Sequence, residues 1–312
     1  MLRLVARRFG PPAEVLSAEP APRPQPGPAG AVVRMLASAI NPSDLLTIRG
    51  AYPHRTPLPF VPGFEGVGVV AALGPGTAGL HLGQRVLPLG SAGGWQGWKG
   101  LPAEWCVPVP EDLTDDQAAT AYVNPLTARL MLRALAPAPG AAIGVNAAGS
   151  AIGRMLLRML HAAGVRPLAI LRAPAVLPAG EPAAAVVAEG AALPPLDGGL
   201  DAVGGASGLA LAAAIRPGGT LIHYGLLSGV PLPPDLDRRE GVTVRPFWLR
   251  NWVHSSGRAA LVEAMAEVFG DIRSGLAATA VAARYPLTDA AAALAHDARP
   301  GRRNGKILLV PD

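Results

Sequence analysis

The chain has 312 residues, of which half are hydrophobic and 16% are charged, and its formal net charge is +5. That length predicts two domains with a buried core, and the apolar content excludes an intrinsically disordered chain. The basic residues are nearly all arginine and are scattered along the chain, so no nucleic-acid-binding patch is expected. The single cysteine, Cys106, excludes an intrachain disulfide and a cysteine-rich metal site.

The sequence shows neither a secretion signal nor a good membrane span. The first nine residues lack the apolar core of a signal peptide. The longest uncharged stretch, 134–153, contains prolines, glycines and an asparagine. We therefore expect a soluble cytoplasmic protein.

The pattern of apolar residues changes near residue 118. Before it, short apolar runs at 31–36 and 67–70 are separated by proline and glycine clusters, which predicts a mainly β domain. After it, strands are predicted at 143–145, 168–171 and 220–224, with an alanine-rich helix at 152–163. Strands that alternate with helices predict a doubly wound parallel sheet.

The last part of the chain is predicted to return to the first domain. A helix at 259–269 is followed by a second helix that Thr288 or Asp289 could cap. The apolar run 306–310 then predicts a strand that rejoins the first domain. The predicted domains are therefore 1–117 with 259–312, and 118–258.

The turn between the strand at 143–145 and the next helix is a candidate nucleotide-binding site. Small residues let a turn approach a pyrophosphate, and a helix N-terminus offers free N–H groups and positive potential. The strict G-x-G-x-x-G motif is absent, since Ala148 and Ser150 precede Gly153 in its three positions, and an ordinary glycine-rich turn is the alternative. The candidate contacts are Asn146, Ser150, Ala151, Ile152 and Gly153.

The end of the next strand indicates which dinucleotide would bind. An NAD site usually has an acidic residue there for the ribose hydroxyls. This strand ends in Arg172, with no acidic residue close to it in sequence. Because a guanidinium pairs well with a 2′-phosphate, the cofactor is predicted to be NADPH. A solvated arginine is the alternative.

Several short motifs occur together in a specific order. They are Asn41-Pro42-Ser43-Asp44, Gly50-Ala51-Tyr52, 62–68, 124–128, Tyr224-Gly225 and 247–252. In this order they resemble the medium-chain dehydrogenase/reductase superfamily, in particular its zinc-free branch of 2-enoyl-CoA and enoyl-acyl-carrier-protein reductases. The quinone oxidoreductase branch shares several of them. The resemblance implies an α/β protein with a GroES-like, mainly β catalytic domain and a Rossmann cofactor domain.

The residue types at the positions of the family's zinc ligands predict a metal-free site. Asn41 stands where a cysteine ligand would be, and Phe64 stands where a histidine would be. A phenylalanine cannot ligate zinc. Polarisation of a substrate carbonyl is then expected to come from hydrogen bonds.

The resemblance implies that Tyr52 is the proton donor and a substrate contact. Hydride delivered to Cβ of a conjugated C=C bond leaves negative charge on Cα, and a neutral phenol can donate a proton there. A tyrosine that only packs a turn is the alternative. Asn41 would anchor Tyr52 or the nicotinamide ribose, or else belong to an Asn-Pro turn. His54 and Arg55 would meet an anionic substrate tail or lie in a solvated loop.

Further contacts follow from the same resemblance. Thr127 would contact the nicotinamide or simply line a helix. Trp248 would line an acyl channel or belong to the core, and Lys306 would reach the cofactor phosphate or end a solvated strand. The dispersed histidines are predicted to be structural or solvated. The remaining cofactor contacts are Tyr224, Phe247, Trp248 and Leu249.

The segment after Arg172 departs from the family. It is short and rich in proline and alanine up to Gly204, and a second basic residue expected just after Arg172 is replaced by Ala173-Pro174-Ala175. The adenine-side wall is therefore predicted to be reduced.

The predicted function is NADPH-dependent reduction of the C=C bond of an α,β-unsaturated thioester. Reduction of quinones or small enones is the first alternative, and a catalytically idle binding protein is the second. By the same resemblance we predict a homodimer joined through a sheet edge near 245–252, because an exposed edge strand pairs readily.

Overall fold

A computed structural model describes residues 1–172, 177, 179–236, 241–299 and 305–312. The chain forms two compact units, which we call unit 1 (Met1–Val123 with Val253–Asp312) and unit 2 (Asn124–Trp252). Unit 1 extends a few residues beyond each predicted domain boundary. At the first boundary the backbone N–H groups of Tyr122 and Val123 donate to the buried Glu65 carboxylate, which ties them to this unit.

Unit 1 is mainly β, and its strands come from both ends of the chain. Numbered along the chain, its strands are β1 Leu2–Ala6, β2 Leu16–Pro20, β3 Gly30–Ala39, β4 Val67–Leu73, β5 Arg85–Pro88, β6 Trp98–Pro102, β7 Cys106–Pro108, β14 Val281–Pro286 and β15 Lys306–Val310. A seven-stranded sheet has the order β14-β15-β3-β4-β5-β7, with β6 also paired to β3, and β1 and β2 form a separate hairpin.

The last strand returns to the first domain as predicted. β15 pairs in parallel with β14 and antiparallel with β3. The helix before it begins after Asp289, whose side chain makes no capping hydrogen bond, while the Thr288 hydroxyl donates to Asp312 at 2.7 Å. The helices of this unit are α1 Pro12–Val15, α2 Pro42–Ile48, α3 Asp115–Ala119, α8 Gly257–Arg273 and α9 Ala290–Asp297.

Unit 2 is the predicted doubly wound parallel sheet. Its strands are β8 Ala142–Val145, β9 Arg166–Leu171, β10 Ala185–Ala188, β11 Leu196–Asp201, β12 Ile215–His223 and β13 Thr243–Pro246, and its helices are α4 Val123–Leu135, α5 Ala151–Ala162, α6 Gly205–Ala214 and α7 Leu249–Ser255. The six strands have the order β10-β9-β8-β11-β12-β13, and every pair is parallel. The order reverses between β8 and β11.

Each unit has its own apolar core. In unit 1, Trp95, Ile40 and Leu309 belong to one buried cluster. In unit 2, Leu168, Leu211 and Leu221 belong to another, which lies where α6 packs on β11 and β12. Over the residues that the structure describes, no helix combines the length and the apolar character needed to cross a bilayer.

Candidate active site

The predicted cofactor residues of unit 2 lie at one edge of its sheet. Asn146 follows β8, Arg172 follows β9, Tyr224 follows β12 and Phe247 follows β13. Because all six strands are parallel, their carboxyl ends meet at the same edge. In open α/β sheets ligands bind outside this edge, at the point where the strand order reverses.

The turn after β8 has the tight geometry that a pyrophosphate site needs. Ala147 has a positive φ of 47°. A Cβ on Gly153 would lie 2.6 Å from the Ala147 carbonyl oxygen, so only glycine lets α5 pack this closely on the turn. The Ser150 hydroxyl caps the helix by accepting from Gly153 N at 3.1 Å. The backbone N–H groups of Ala151 and Ile152, which are earlier in the first turn, have no intrahelical acceptor, and such groups can bind an anion.

Arg172 lies exposed just after β9, and no hydrogen bond or ion pair joins it to another described residue. The sequence shows no acidic residue nearby, but the fold brings one close. β10 pairs with β9 so that Ala188 lies beside Leu171, and Glu189 N donates to the Leu171 carbonyl at 2.6 Å. Strand pairing, which sequence proximity does not report, therefore places the Glu189 backbone beside the end of β9.

The short segment between Arg172 and Gly204 contains strands β10 and β11. Between β9 and β10 its described residues, 177 and 179–184, contain no helix. Glu181 in this connection forms a bidentate ion pair with Arg158 of α5, at 2.8 and 3.1 Å. The Ala173-Pro174-Ala175 stretch and Pro178 lie outside the described residues.

A polar network at the same edge was not predicted. The buried Asp201 carboxylate, at the end of β11, accepts from Asn146 Nδ2 at 2.5 Å and lies 2.7 Å from His223 Nδ1. It also accepts from the backbone N–H groups of Val203 and Gly204 at 3.0 Å. Asn146 Oδ1 accepts from Ala202 N at 2.7 Å. His223 lies in the strand predicted at 220–224, but the sequence predicts no strand that ends at Asp201, and the dispersed histidines are predicted to be structural or solvated.

The electrostatics of this network favour a charged carboxylate. Burial alone raises the pKa of the Asp201 carboxyl, but hydrogen bonds from His223, Asn146 and the following backbone lower it, and the net pKa lies below its ordinary value. Burial, with the nearby Asp201, raises the pKa of the Tyr224 phenol. The Tyr224 hydroxyl is buried without a hydrogen-bond partner in the described structure. The backbone N–H of Tyr224 donates to the backbone carbonyl of Asp201.

The segment after β13 is more exposed than a core segment. Trp248 is 54% exposed, so the alternative that placed it in the core is wrong. Phe247 and Leu249 on either side are half-buried. β13 is the edge strand of the sheet, and most of its side chains face solvent. Thr127 on α4 is buried, with 8% of its surface exposed.

In unit 1, Asn41 lies in a sealed network of buried charges. Asn41 Nδ2 donates to Glu65 Oε1 at 2.7 Å, and Asn41 Oδ1 accepts from the Lys306 ammonium group. Asp44 accepts from the backbone N–H groups of Asn41 and Phe64, both at 2.9 Å. We call Asn41, Asp44, Glu65 and Lys306 the buried cluster. All four are at most 5% exposed.

The buried cluster changes the interpretation of Lys306. The prediction of a solvated strand end is wrong, because Lys306 is 5% exposed and also donates to the Ile40 carbonyl at 3.3 Å. Its ammonium group donates to the Asn41 and Ile40 oxygens of unit 1, and contact with the cofactor phosphate stays a prediction. Strand β15 brings Lys306 there because it pairs with β3. Asn41, the N-cap residue of α2, follows the end of β3.

Tyr52 lies apart from the hydrogen bonds of the buried cluster. It precedes a short 3-10 turn after α2 and is half-buried. The guanidinium of Arg55 lies over its ring at 4.0 Å from the centroid. In the described part of the chain its hydroxyl makes no hydrogen bond and is not sealed from solvent. Asn41 therefore does not anchor Tyr52 by a direct hydrogen bond.

The two positions that would hold zinc ligands are occupied by Asn41, whose amide is hydrogen-bonded at both its nitrogen and its oxygen, and by the phenyl ring of Phe64. The Asn41 amide binds Glu65 and Lys306, and Phe64 offers only its backbone N–H, which Asp44 accepts. Where the chain is described, no three His, Cys, Asp or Glu side chains are grouped as metal ligands. Absence of zinc stays a prediction.

Comparisons with known proteins show the family to which the chain belongs. The alcohol dehydrogenase GroES-like domain matches residues 27–111, and the zinc-binding dehydrogenase family matches residues 181–309. The mitochondrial enoyl-[acyl-carrier-protein] reductase of Rattus norvegicus is 30% identical over 86% of this chain and 78% of its own length. The chain belongs to the medium-chain dehydrogenase/reductase superfamily. The predicted resemblance and fold class are confirmed.

Solved members of the superfamily share the whole fold. A Bacillus thuringiensis protein assigned as an NADPH:quinone reductase is 31% identical, with a TM-score of 0.94 over 100% of this chain and 99% of its own. A mycobacterial protein solved with NADPH is 28% identical, with a TM-score of 0.88 over 100% of both chains. Superfamily membership supports an oxidoreductase role for this chain.

Proposed function

We propose that the chain is an NADPH-dependent reductase of α,β-unsaturated thioesters, which adds hydride to Cβ and a proton to Cα of a 2-enoyl-CoA or enoyl-acyl-carrier-protein. The observation that carries this proposal is the open hydroxyl of Tyr52, which no described residue binds. The 30% identity with the mitochondrial enoyl-[acyl-carrier-protein] reductase of Rattus norvegicus, over most of both chains, supports the thioester substrate.

The carboxyl edge of unit 2 fits a dinucleotide. The Ser150–Gly153 turn would hold the pyrophosphate, since its backbone approaches closely and its first N–H groups lack intrahelical acceptors. Arg172 would bind the 2′-phosphate, because its guanidinium is exposed and has no described partner. The mycobacterial relative that was solved with NADPH supports the same cofactor. When bound, NADPH supplies the hydride.

The chain itself supplies the proton. Tyr52 would donate its hydroxyl proton to Cα as negative charge develops there. The Arg55 guanidinium over its ring restricts the ring's orientation and adds positive potential beside the phenol. Asn41 would act indirectly, since both ends of its amide are bound within unit 1.

A second candidate function is reduction of quinones or small enones with NADPH. The 0.94 TM-score and 31% identity with the Bacillus thuringiensis protein assigned as an NADPH:quinone reductase favour it. Hydride transfer to a quinone places less demand on a positioned acid, so Tyr52 would matter less. A chain that only binds the cofactor is the remaining alternative.

A substrate panel tests the three functions. NADPH oxidation is measured with crotonyl-CoA, longer enoyl-CoAs and quinones side by side. We expect kcat/KM to be highest for an enoyl thioester. Higher values for quinones would favour the second candidate, and NADPH binding without turnover of any substrate would favour the binding protein.

Cofactor preference is tested separately by dissociation constants for NADPH and NADH. Arg172→Ala should weaken NADPH binding about 10-fold or more and leave NADH unchanged, because a charge-assisted hydrogen bond contributes roughly 1.5–3 kcal/mol. Arg166→Ala is the matched control, since Arg166 is exposed at the opposite end of the same strand. Tighter NADH binding by the wild type would show that the proposed preference is wrong.

We also propose that two copies of the chain pair through β13. Its edge position and its exposed side chains, followed by the exposed Trp248, support pairing with a second sheet. Light scattering should give the mass of a dimer, and a monomer at working concentration would argue against it.

A further inference from the structure

Asp201 and His223 form a polar pair to which the proposed function gives no role. They end the neighbouring parallel strands β11 and β12, where they lie opposite each other in register. His223 Nδ1 lies 2.7 Å from Asp201 Oδ2, and the side chains are 20% and 0% exposed, respectively. The pair is therefore anchored at the carboxylate and open at the imidazole.

The surroundings of Asp201 fix the orientation of the imidazole. Its carboxylate is held by Asn146 Nδ2 and by the backbone N–H groups of Val203 and Gly204. Because a carboxylate accepts, it keeps a proton on Nδ1 of His223. Nε2 has no hydrogen-bond partner among the described residues. It is thus the ring nitrogen that a ligand can reach.

The position of His223 in the sheet indicates which ligand that would be. A doubly wound sheet binds a dinucleotide across the point where its strand order reverses, with one half of the sheet for each mononucleotide. Here the order reverses between β8 and β11. The half that contains β9 ends in Arg172, which suits the adenosine 2′-phosphate. His223 belongs to the other half, which is left for the nicotinamide mononucleotide.

We propose that Nε2 of His223 hydrogen-bonds a ribose hydroxyl of the nicotinamide half of the bound dinucleotide, with Asp201 as the positioning residue. The inference rests on the proposed NADPH-dependent function. A ribose hydroxyl both donates and accepts, so it can pair with Nε2 whether the imidazole is neutral or protonated.

Binding calorimetry with two ligands tests this assignment without turnover. NADPH spans both halves of the site, whereas adenosine 2′,5′-bisphosphate fills only the adenosine half. We expect His223→Leu to weaken NADPH binding about 5- to 10-fold, as loss of one hydrogen bond does, and to leave the bisphosphate unchanged. His223→Gln should recover most of the affinity, because its amide can again pair with a hydroxyl. Arg172→Ala is the contrasting variant and should weaken both ligands.

Nitrogen NMR of the histidine side chains gives a second readout. The Nε2 signal of His223, assigned by comparison with His223→Gln, should shift when NADPH is added and stay in place when the bisphosphate is added. Equal weakening of both ligands in His223→Leu would show a structural role and overturn the inference, as would unchanged NADPH binding. A wild-type chain that binds neither ligand would overturn the proposed function itself.

Discussion

In unit 1 the carboxylates of Asp44 and Glu65 are buried with Lys306 and the Asn41 amide, and every polar atom named in that cluster faces another. In unit 2 the Asp201 carboxylate is equally buried, but its partner His223 reaches solvent. Both networks lie beside residues that sequence motifs marked as functional. Both networks combine a basic side chain with at least one buried carboxylate, but only the network of unit 2 contains a side chain that reaches solvent.

This difference in solvent access separates residues that stabilise the fold from residues that can contact a ligand. A sealed charge must be paired, since an unpaired buried charge costs several kcal/mol, so its substitution acts first on stability. Substitution of a side chain whose polar atom is open to solvent should change the free energy of unfolding little and should instead change ligand binding or the reaction rate. By this criterion Tyr52, Arg172 and His223 are candidates for ligand contact, whereas substitution of Asn41 or Lys306 is expected to act first on stability.

Tyr52→Phe is the substitution for which we expect the largest effect. It keeps the ring under the Arg55 guanidinium and removes only the hydroxyl. If that hydroxyl protonates Cα, kcat with an enoyl thioester should fall roughly 10²- to 10⁴-fold, with NADPH affinity unchanged. Steady-state kinetics and NADPH titration measure both quantities.

Tyr285→Phe is a matched control for this experiment. Tyr285 is also in unit 1, and its hydroxyl lies 2.9 Å from His296 Nδ1. Its loss should change the free energy of unfolding slightly and leave kcat alone. A near-wild-type kcat for Tyr52→Phe would remove Tyr52 from the mechanism and favour the quinone alternative.

Lys306→Met should show the opposite behaviour. The change keeps an unbranched side chain but leaves Asn41 Oδ1 and the Ile40 carbonyl without their donor and removes the positive charge near the buried Asp44. We expect the free energy of unfolding to fall by about 3–5 kcal/mol, measured by urea denaturation. Arg34→Met is the control, because Arg34 is exposed on β3 of the same sheet. Equal stability of the two variants would contradict a sealed cluster.

The two networks also show what the sequence could and could not predict. Local signals predicted the strand–turn–helix at Ser150 and the returning strand at Lys306, because apolar periodicity and small residues are local properties. The partners of these residues depend on pairings that are distant in sequence. Lys306 meets Asn41 only because β15 pairs with β3, and the Glu189 backbone lies beside Leu171 only because β10 pairs with β9.

Asp44 gives a pH test of the same sealed cluster. Burial raises the pKa of its carboxyl from 3.8 to about 7; the hydrogen bonds from the backbone N–H groups of Asn41 and Phe64 oppose the rise, Glu65 adds to it, and Lys306 opposes it. The folded state therefore binds more protons than the unfolded chain between those values. Stability from this group is present below about pH 4 and is lost as the pH rises through about 7. The slope is at most about 1.4 kcal/mol per pH unit, and Asp44→Asn should remove it.

Asp112 is the control of opposite sign for that titration. Its hydrogen bonds from Arg273 lower the pKa of its carboxyl, so its contribution is lost as the pH falls. Urea denaturation of wild type, Asp44→Asn and Asp112→Asn at several pH values separates the two. An unchanged slope in Asp44→Asn would mean that this carboxyl titrates normally.

Removal of metal should have no effect, which makes it the smallest expected change. Residues 181–309 match the zinc-binding dehydrogenase family. In this chain, however, Asn41 and Phe64 stand at the positions where that superfamily's zinc ligands would be. The Asn41 amide already binds Glu65 and Lys306 at both ends, and a phenyl ring has no atom that ligates zinc. After dialysis against a chelator, elemental analysis should show no stoichiometric zinc, and NADPH oxidation should keep its full rate. Added zinc should not raise that rate. Stoichiometric zinc whose removal abolishes activity would mean that ligands other than these two residues form a metal site, and that the substrate carbonyl is polarised by a metal rather than by hydrogen bonds.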